Sequence, residues 1–437
     1  MSVRFLYPCW LIVSTTLFLN GCQTLPSWLR GNTIAEKELE TRRFTLEKQQ
    51  TVMGNLARFT LQPGDTLADV ARHFGIGFQA MRDANPGIDP WLPRPGQTVV
   101  LPLSFILPDA PRSGIVLNLA AMRLFYHPRP DSERVFSFPV GIGRAGWDTP
   151  RGRTRIIQKK VMPSWFVPAS IRREHAMKGD PLPPVVKPGP ANPLGKYALR
   201  LNIPGYLIHG TNKPYGVGQR ISHGCVRLYP EDIEALFPKV RRGTPVTIVD
   251  QPYLLGWRKG QLYLQIYPPL TQNRRKLSKL WQSLKIRLQH AERNSGKKVD
   301  WHKVDLAVTE ALGLPVPVLK DSPAFSPYLA RLPKVAHPEA FYGAYRAPLL
   351  KSGWYLALGD KFNRPEIQRL VAILHHQGPP YPAHALANQD GAYRLVIGPY
   401  EKRRKASRER RRLNRELELK AKILQLDQNT WLAGPAF

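Results

Sequence analysis

One cysteine of this sequence stands in a setting that suits nucleophilic chemistry. Cys225 lies in the string ISHGCVRL, and the other two cysteines are at positions 9 and 22. A thiol attacks well only as its thiolate, and an unperturbed cysteine, with a pKa of about 8.5, is mostly protonated at neutral pH. A nearby histidine can take the proton, and His223 and His209 are both available. Taken alone, this pattern fits either a catalytic thiol or an inert, buried one.

The spacing favours His209 as the base. His209 ends an apolar strand-like segment, and the excursion that follows it can return Cys225 to its side. His223 is two residues before the cysteine, where the two side chains need not face each other. Gly224 allows a tight turn, so that the thiol and neighbouring amide N–H groups can face one cavity. Such amides would form an oxyanion hole for a tetrahedral intermediate.

The longer strings around this cysteine resemble a known family. HGTN at 209–212, SHGCVRL at 222–228, TPRG at 149–152 and GPANPLGKYALRL at 189–201 resemble the L,D-transpeptidase catalytic domain of the YkuD type. The later string GWRKGQLYLQIYPP resembles the extension of the Gram-negative branch. The resemblance implies that Cys225 attacks the L-centre carbonyl of meso-diaminopimelate in a tetrapeptide stem and releases D-alanine. The thioester then passes to an amine, without cofactor or metal.

The resemblance also implies supporting residues around the cysteine. Their expected task is to shape the pocket, orient His209 and supply oxyanion contacts, and they are His223, Gly224, Ser222 and Gly210. The expected substrate-binding residues are Arg227, Trp165, Asn212 and Tyr215. Arg227 suits a stem-peptide carboxylate, with a surface salt bridge as the alternative, and the other three are either pocket walls or packing residues.

Two further functions stay open at this point. A hydrolase with the same cysteine and histidine would differ only in using water to resolve the thioester. A non-catalytic tether that binds the cell wall is the third possibility, against which the intact HGT and SHGC strings argue. The acyl acceptor is open as well. It is either another diaminopimelate, giving a 3→3 cross-link, or an amine of an outer-membrane protein.

The N-terminus predicts export. Residues 1–22 combine Arg4, a short apolar run and LNGC, which resembles a lipobox with Cys22 as the lipidated residue. An uncleaved anchor helix is the alternative. Gln23 after the cysteine favours sorting to the outer membrane, which places the protein in the periplasm. Exported proteins usually pair their cysteines in disulfides, so the solitary thiol of Cys225 is expected to be either buried or functional.

Length and net charge limit the number of domains and the kinds of binding partner that are expected. The chain has 437 residues and a formal net charge of +32, so two to four domains and a polyanionic partner are expected. Nucleic acid, anionic lipid and the acidic cell wall all fit such a charge. Export makes nucleic acid the least suitable of these, and anionic lipid head groups or the acidic stem peptides suit the charge better. The expected partner is peptidoglycan, with its stem peptides and glycan strands.

Local patterns predict a multidomain α+β protein. A tether is expected over 23–57. A small βααβ unit follows over 58–103, and its GDTL, FG and GQ strings resemble a LysM domain, which implies glycan binding. A mixed, β-rich catalytic domain of the YkuD type is expected over 113–250, with a proline-dense functional loop over 161–195.

The rest of the chain is predicted as three further segments. An appendage is expected over 251–320 and a proline-containing linker over 321–350. A small α+β domain over 351–424 with the string YRLVIGPY resembles a SPOR domain, a glycan-binding module. Its strongly basic last helix is expected to run to about Leu424, and His375 and His376 are expected on the solvent side of its first helix.

Overall fold

A computed structural model describes residues 33–427, apart from 48, 49, 131, 178, 180 and 389. The predicted signal peptide over 1–22, with its lipid site Cys22, lies outside the described residues, as does the start of the predicted tether. Among the described helices none is long and apolar enough to cross a membrane.

The N-terminal region contains the predicted βααβ unit. Its elements in chain order are β1 (Thr33–Ile34), β2 (Arg43–Thr45), β3 (Val52–Gly54), β4 (Ala57–Thr60), α1 (Leu67–His73), α2 (Phe78–Asp83), β5 (Thr98–Leu101) and β6 (Ser104–Ile106). The Thr66 hydroxyl caps α1 by accepting the Asp69 N–H, and Gly75 follows the helix with φ +65°. Phe59 of β4 packs edge-on against Phe74 in the core of this domain.

The predicted tether is wrong for its described part, because residues 43–45 belong to the catalytic sheet. β2 pairs antiparallel with the strand over 134–139 and forms the edge of that sheet. Phe44 and Leu46 alternate with polar neighbours and are buried, which is the two-residue period of a strand. Arg42 also reaches Asp232 of the catalytic domain, with Nε 2.5 Å from Oδ1.

The catalytic domain is built on a nine-stranded mixed sheet. Its elements are β7 (Gly114–Asn118), β8 (Arg123–His127), β9 (Arg134–Pro139), β10 (Ile142–Gly143), β11 (Gly152–Val161), β12 (Trp165–Phe166), α3 (Ala169–Met177), β13 (Val185–Val186), β14 (Tyr197–Leu201), β15 (Leu207–His209), β16 (Arg220–Ser222), β17 (Val226–Arg227), α4 (Pro230–Leu236) and β18 (Pro245–Val249). The strand order is β17-β15-β14-β11-β18-β7-β8-β9-β2. The proline-dense segment is more ordered than a loop, since it contains α3 and the antiparallel pair of β12 and β13.

The appendage and the linker both pack against earlier parts of the chain. They contain β19 (Tyr253–Arg258), β20 (Gln261–Ile266), α5 (Arg274–Ser295), α6 (Trp301–Glu310), β21 (Val316–Pro317), α7 (Phe325–Ala330) and β22 (Lys334–Val335). The prediction of a plain linker is wrong, because β22 inserts between β1 and β4 as a parallel strand of the LysM sheet. His337 also contacts Asp65 of that domain, with Nε2 2.9 Å from Oδ2.

The C-terminal domain has the predicted order with one additional strand. Its elements are β23 (Gly353–Ala357), α8 (Arg364–His375), β24 (Ala383–Ala387), β25 (Tyr393–Tyr400), α9 (Arg403–Leu417) and β26 (Lys422–Leu426). The predicted basic helix is too long, since it ends at Leu417 and Glu418 has φ +57°. Residues 422–426 pair with β23 instead, which places Leu424 opposite Tyr355 at the edge of the sheet.

The predicted solvent position of His375 and His376 is wrong, because α8 docks on the LysM domain. His376 Nε2 lies 3.1 Å from Asp69 Oδ1, and its ring packs at a tilt against Trp91 with centroids 5.2 Å apart. Arg369 of the same helix forms an ion pair with Asp89, with Nη2 2.6 Å from Oδ2. The LysM domain and the C-terminal domain therefore contact each other directly.

Candidate active site

The floor of the site is one face of the catalytic sheet. Paired residues on neighbouring strands share a face, and each strand alternates its side chains between the two faces. The first row across β11, β14, β15 and β17 is Lys160, Ala198, His209 and Arg227, and the second row is Gln158, Arg200 and Leu207. All seven line one cavity. Leu199, Ile208 and Val226 alternate with them and are buried on the opposite face, where α4 packs.

Cys225 joins this floor through a turn that hydrogen bonds hold in place. It precedes β17, and its side chain lines the same cavity as Arg227. Gly224 has φ +100°, a region that favours glycine. The Ser222 hydroxyl accepts the Gly224 N–H at 3.1 Å and donates to the Cys225 carbonyl at 2.6 Å. The Thr149 hydroxyl donates to the Gly224 carbonyl at 2.9 Å.

These contacts change the expected role of Gly224. Its N–H already donates to the Ser222 hydroxyl, so the prediction that this amide supplies an oxyanion hole does not fit the geometry. Ser222 and Gly224 shape the turn that presents the thiol. The amide that faces the sulfur belongs to Leu207 on the neighbouring strand β15.

Burial and local dipoles act in opposite directions on the thiol. Cys225 is half-buried, and burial raises its pKa, while the Leu207 amide and the Arg227 charge act to lower it. Within the described residues, the hydrogen bond of Sγ goes to the Gly205 carbonyl at 3.5 Å rather than to a ring nitrogen of His209. The resting cysteine is therefore a neutral thiol at neutral pH.

His209 is a buried, neutral imidazole. Burial and then the Arg227 charge lower its pKa to about 3, against the opposing effect of the Gly210 and Leu194 carbonyls. Its Nδ1 lies 2.5 Å from the Gly210 carbonyl oxygen. Because that oxygen can only accept, Nδ1 carries the proton and Nε2 keeps its lone pair. The ring on the cavity floor thus has an unprotonated Nε2, although its low pKa makes it a weak base in the resting site.

His223 is engaged by charged neighbours instead. Its Nε2 lies 3.0 Å from Glu174 Oε2 and 3.2 Å from Arg144 Nη2, and these two side chains form an ion pair at 2.7 Å. Burial lowers the pKa of His223, with Glu174 acting against it. Trp147 packs against the ring with centroids 4.9 Å apart. Its position suits shaping of the site more than proton transfer.

Three of the four predicted substrate-binding residues line the cavity: Arg227, Trp165 and Asn212. Among the described side chains, no carboxylate pairs with Arg227, and its Nε is buried without a hydrogen-bond partner. The salt-bridge alternative for Arg227 therefore finds no partner in the described chain. Asn212 Nδ2 donates to the Pro190 carbonyl at 3.1 Å, which ties it to the proline-dense segment.

Tyr215 lies elsewhere, so its predicted place in the pocket is wrong. Its ring packs edge-on against Phe78 at 4.8 Å and is tilted against Trp91 at 5.1 Å between centroids. Both partners belong to the LysM domain. Tyr215 is thus a packing residue between two domains, which was the alternative reading of this residue.

The cavity is large and strongly cationic. It has a volume of about 1320 Å³, and the proline-dense segment and helix α9 of the C-terminal domain form its walls. Its cationic lining residues are Lys160, Arg200, Lys213, Arg227, Arg408, Arg411, Arg412 and Arg415, and its acidic ones are Glu409 and Glu416. Such an excess of positive charge in a concave site favours an anionic substrate.

Several contacting residues escaped the sequence analysis. Thr149 belongs to the TPRG string, which does not indicate that its hydroxyl supports the turn before the cysteine. No sequence pattern singles out Glu174 or Arg144 as site residues. Glu174 lies in the proline-dense segment, for which a functional role was expected only in general. The Leu207 amide is a backbone group, which the sequence shows only through strand register.

Three family models match the chain. The L,D-transpeptidase catalytic domain matches residues 112–248, the LysM domain matches 59–102, and the SPOR domain matches 350–424. LysM and SPOR domains indicate peptidoglycan as a binding partner and a periplasmic or cell-wall location. The predicted multidomain α+β fold with a YkuD-type catalytic domain is confirmed.

Curated relatives match along most of their own length. The probable L,D-transpeptidase ErfK/SrfK of Escherichia coli (strain K12) is 40% identical over 60% of this chain and 84% of that protein. The probable L,D-transpeptidase YcfS of the same strain is 42% identical over 48% of this chain and 67% of its own length. The probable L,D-transpeptidase YbiS is 42% identical over 50% of this chain and 72% of its own. At this identity and coverage, the chain belongs to the L,D-transpeptidase family of cysteine-dependent acyltransferases.

Proposed function

We propose that Cys225 is the nucleophile of this L,D-transpeptidase and that His209 is its general base. The observation that carries the proposal is that Cys225 and His209 line one cavity together with Arg227, the register partner of His209. His209 is neutral with an available Nε2, while His223 is engaged by Glu174 and Arg144.

The first half-reaction forms a thioester. The substrate is a tetrapeptide stem, and the reacting bond joins the L-centre carbonyl of meso-diaminopimelate to the terminal D-alanine. As Sγ of Cys225 attacks this carbonyl carbon, its proton passes to Nε2 of His209. The C–N bond then breaks, and His209 returns the proton to the leaving amine of D-alanine.

The second half-reaction transfers the acyl group. A free amine attacks the thioester carbonyl and loses a proton to His209, and the C–S bond breaks to restore the thiol. The energy of the original peptide bond is kept in the thioester, so the chemistry needs no nucleotide.

Charge stabilisation in these steps comes from two groups near the sulfur. The Leu207 N–H and the Arg227 guanidinium both act to lower the pKa of the thiol, so they favour negative charge at this place. We assign the Leu207 amide as an oxyanion donor in the tetrahedral intermediates. Arg227 is buried and pairs with no carboxylate of the described residues, so it is available to bind a substrate carboxylate.

The acceptor amine is either a second diaminopimelate, which gives a 3→3 cross-link, or an amine of an outer-membrane protein. Water as acceptor would make the protein an L,D-carboxypeptidase. The LysM and SPOR domains would hold the enzyme on peptidoglycan glycan strands during this work. Lipidation of Cys22 would anchor it to the outer membrane in the periplasm, where cross-linking serves cell-wall organisation and cell shape.

The decisive experiment incubates the full chain with purified wall fragments and resolves the products by mass spectrometry. A mass of the protein increased by one tripeptide stem marks the thioester, and it must be absent from the Cys225→Ala variant. Peptide dimers, stem-linked protein or only shortened stems then identify the acceptor. Full turnover by Cys225→Ala would disprove the mechanism, as would an unchanged rate in His209→Ala.

A further inference from the structure

Helix α9 of the C-terminal domain presents an arginine face to the active-site cavity. Arg408, Arg411, Arg412 and Arg415 follow the helical spacing i, i+3, i+4 and i+7, which places them on one face, and all four line the cavity that contains Cys225. The helix therefore forms part of the catalytic pocket, although it belongs to a different domain.

The opposite side of the helix fixes this orientation. Ala406 and Leu413 are fully buried in the core of the C-terminal domain. The rotation of α9 is thereby set by packing, and the arginines cannot exchange places with the apolar residues without opening that core.

Contacts with the catalytic domain hold the helix against the pocket. Lys213 Nζ lies 3.3 Å from Glu416 Oε1. Gly378, just after α8, approaches so closely that a Cβ there would lie 2.1 Å from the Asn212 carbonyl oxygen. Both Lys213 and Asn212 directly follow the HGT string, so the docking site of the domain adjoins the reacting groups.

Three arginines of this face, Arg408, Arg411 and Arg412, differ in their contacts. Arg412 is held within the helix, since its guanidinium contacts Glu409 at 3.1 Å and Glu416 at 3.2 Å and lies over the Tyr381 ring. Arg408 and Arg411 are exposed to the cavity. The contact of Arg408 with Glu409, at 3.7 Å and largely exposed, is a weak one.

We propose that the α9 arginine face is a substrate subsite of the transpeptidase, in which Arg408 and Arg411 bind carboxylates of an acidic peptide that enters the cavity. The proposal rests on the proposed function, which identifies that peptide as a stem peptide with free carboxylates. An arginine fork matches a carboxylate with two parallel hydrogen bonds, and a concave site strengthens such pairs by excluding water. The C-terminal domain thus takes part in peptide recognition, in addition to its expected glycan binding.

The test measures binding by the full chain in a Cys225→Ala background. The ligand is a tetrapeptide stem with free carboxylates, and a stem with amidated carboxylates is the comparison. Arg408→Gln/Arg411→Gln is expected to raise the dissociation constant of the acidic stem about tenfold, the size that two partly exposed ion pairs supply. The amidated stem should bind the variant and the parent chain equally.

A matched control comes from the same helix. Arg404→Gln/Arg410→Gln removes two exposed arginines that do not line the cavity, so it changes the net charge by the same amount. This control should bind the acidic stem as the parent does, and melting temperatures should confirm that both variants fold. Equal weakening by the two double variants, or none by either, would overturn the proposal.

Two further measurements distinguish this proposal from other roles of the helix and from the proposed role of Cys225. Vesicles that contain phosphatidylglycerol test the helix as a lipid-binding surface, and loss of vesicle binding with unchanged stem binding would contradict the subsite. Because binding is measured without turnover, the outcome is independent of whether Cys225 proves catalytic. In the active chain, the cavity variant should raise KM for the acidic stem and leave kcat unchanged.

Discussion

His209 and Arg227 are register partners on the parallel strands β15 and β17, and both side chains face the cavity of Cys225. A buried cation beside the proposed base and the proposed nucleophile affects both. It lowers the pKa of His209, and it acts to lower the pKa of the thiol. The pair therefore keeps the histidine neutral and favours the thiolate as it forms.

Substitution of Arg227 tests this relationship. In Arg227→Gln we expect the pKa of the Cys225 thiol to rise, because burial is then opposed by the Leu207 amide alone. The rate of alkylation by iodoacetamide, followed against pH, should shift to higher pH. At neutral pH, kcat/KM should fall about tenfold, the loss expected for one hydrogen bond to a charged group. Arg227→Lys keeps the charge and should restore the alkylation profile in large part, and a profile unchanged in Arg227→Gln would contradict the role.

Substitution of Gly224 tests whether the turn before Cys225 must be this tight. In Gly224→Ala the added Cβ would lie 2.7 Å from Cε1 of Tyr206, and the backbone has φ +100°. We expect a loss of about 1–3 kcal/mol in the free energy of unfolding from strain and a fall in acylation rate of at least tenfold. Gly146→Ala is the matched control, since Gly146 has φ +81° with open space around its Cα. A similar loss of acylation in both variants would attribute the effect to strain alone.

Substitution of Arg42 tests whether the segment predicted to be a tether stabilises the fold. Its partner Asp232 is fully buried, and burial raises the pKa of that carboxyl to about 6, with Arg42 acting against it. Arg42→Met should reduce the free energy of unfolding by about 3 kcal/mol, because it leaves a buried carboxylate without its cation. Arg43→Met, at the exposed neighbouring position, should have little effect, and Arg42→Met/Asp232→Leu should recover much of the loss.

The same variant has a defined pH dependence. An acid whose pKa is raised on folding binds its proton more tightly in the folded state, so stability falls as pH rises from the unfolded to the folded pKa. The defect of Arg42→Met should therefore be small up to about pH 6, where the Asp232 carboxyl is protonated in both folded proteins, and should grow as pH rises above 6 in urea unfolding. A defect that is equal at pH 4 and pH 8 would show that Asp232 is not its cause.

The pair of His376 and Asp69 predicts pH-dependent docking of the C-terminal domain. Burial lowers the pKa of His376, but Asp69 outweighs it and the net shift is upward, while the pKa of Asp69 is lowered. The contribution of His376 is fully present below its unfolded pKa of about 6.5 and is lost as pH rises through the higher folded value. The contribution of Asp69 is present above its unfolded pKa of about 4 and is lost below it.

Thermal unfolding between pH 5 and pH 9 measures this effect. The parent chain should lose stability above about pH 6.5, and His376→Gln should remove that part of the slope. His290→Gln, at an exposed position on α5, is the control and should leave the slope unchanged. Identical slopes in all three proteins would rule out the pair as the titrating element.

Local signals in the sequence predict much of the fold. The LysM unit follows from a helix cap at Thr66, a glycine at 75 and apolar residues at helical spacing, all within one short segment. The nucleophile and its base could be proposed because the strings around Cys225 and His209 are specific. Each of these features depends on residues that are close together in the sequence, so it can be recognised from the sequence alone.

The contacts between domains could not be predicted in the same way. Residues 43–45 are a short strand in a polar segment, and only pairing with β9 makes them part of the catalytic sheet. Tyr215 was expected in the pocket, but its ring packs against Phe78 of the docked LysM domain instead. The arginines of α9 have the composition of a solvated helix, and nothing local relates them to a pocket formed by residues far earlier in the chain.

The position of α9 in the chain has a consequence for synthesis and export. The cavity floor is encoded by residues 158–227, but part of its wall comes from residues 408–416. A chain emerging from its N-terminus therefore acquires the thiol and the histidine well before the pocket around them is complete. In the proposed arrangement, tight binding of an acidic peptide would begin only when the last domain has folded and docked against the catalytic domain.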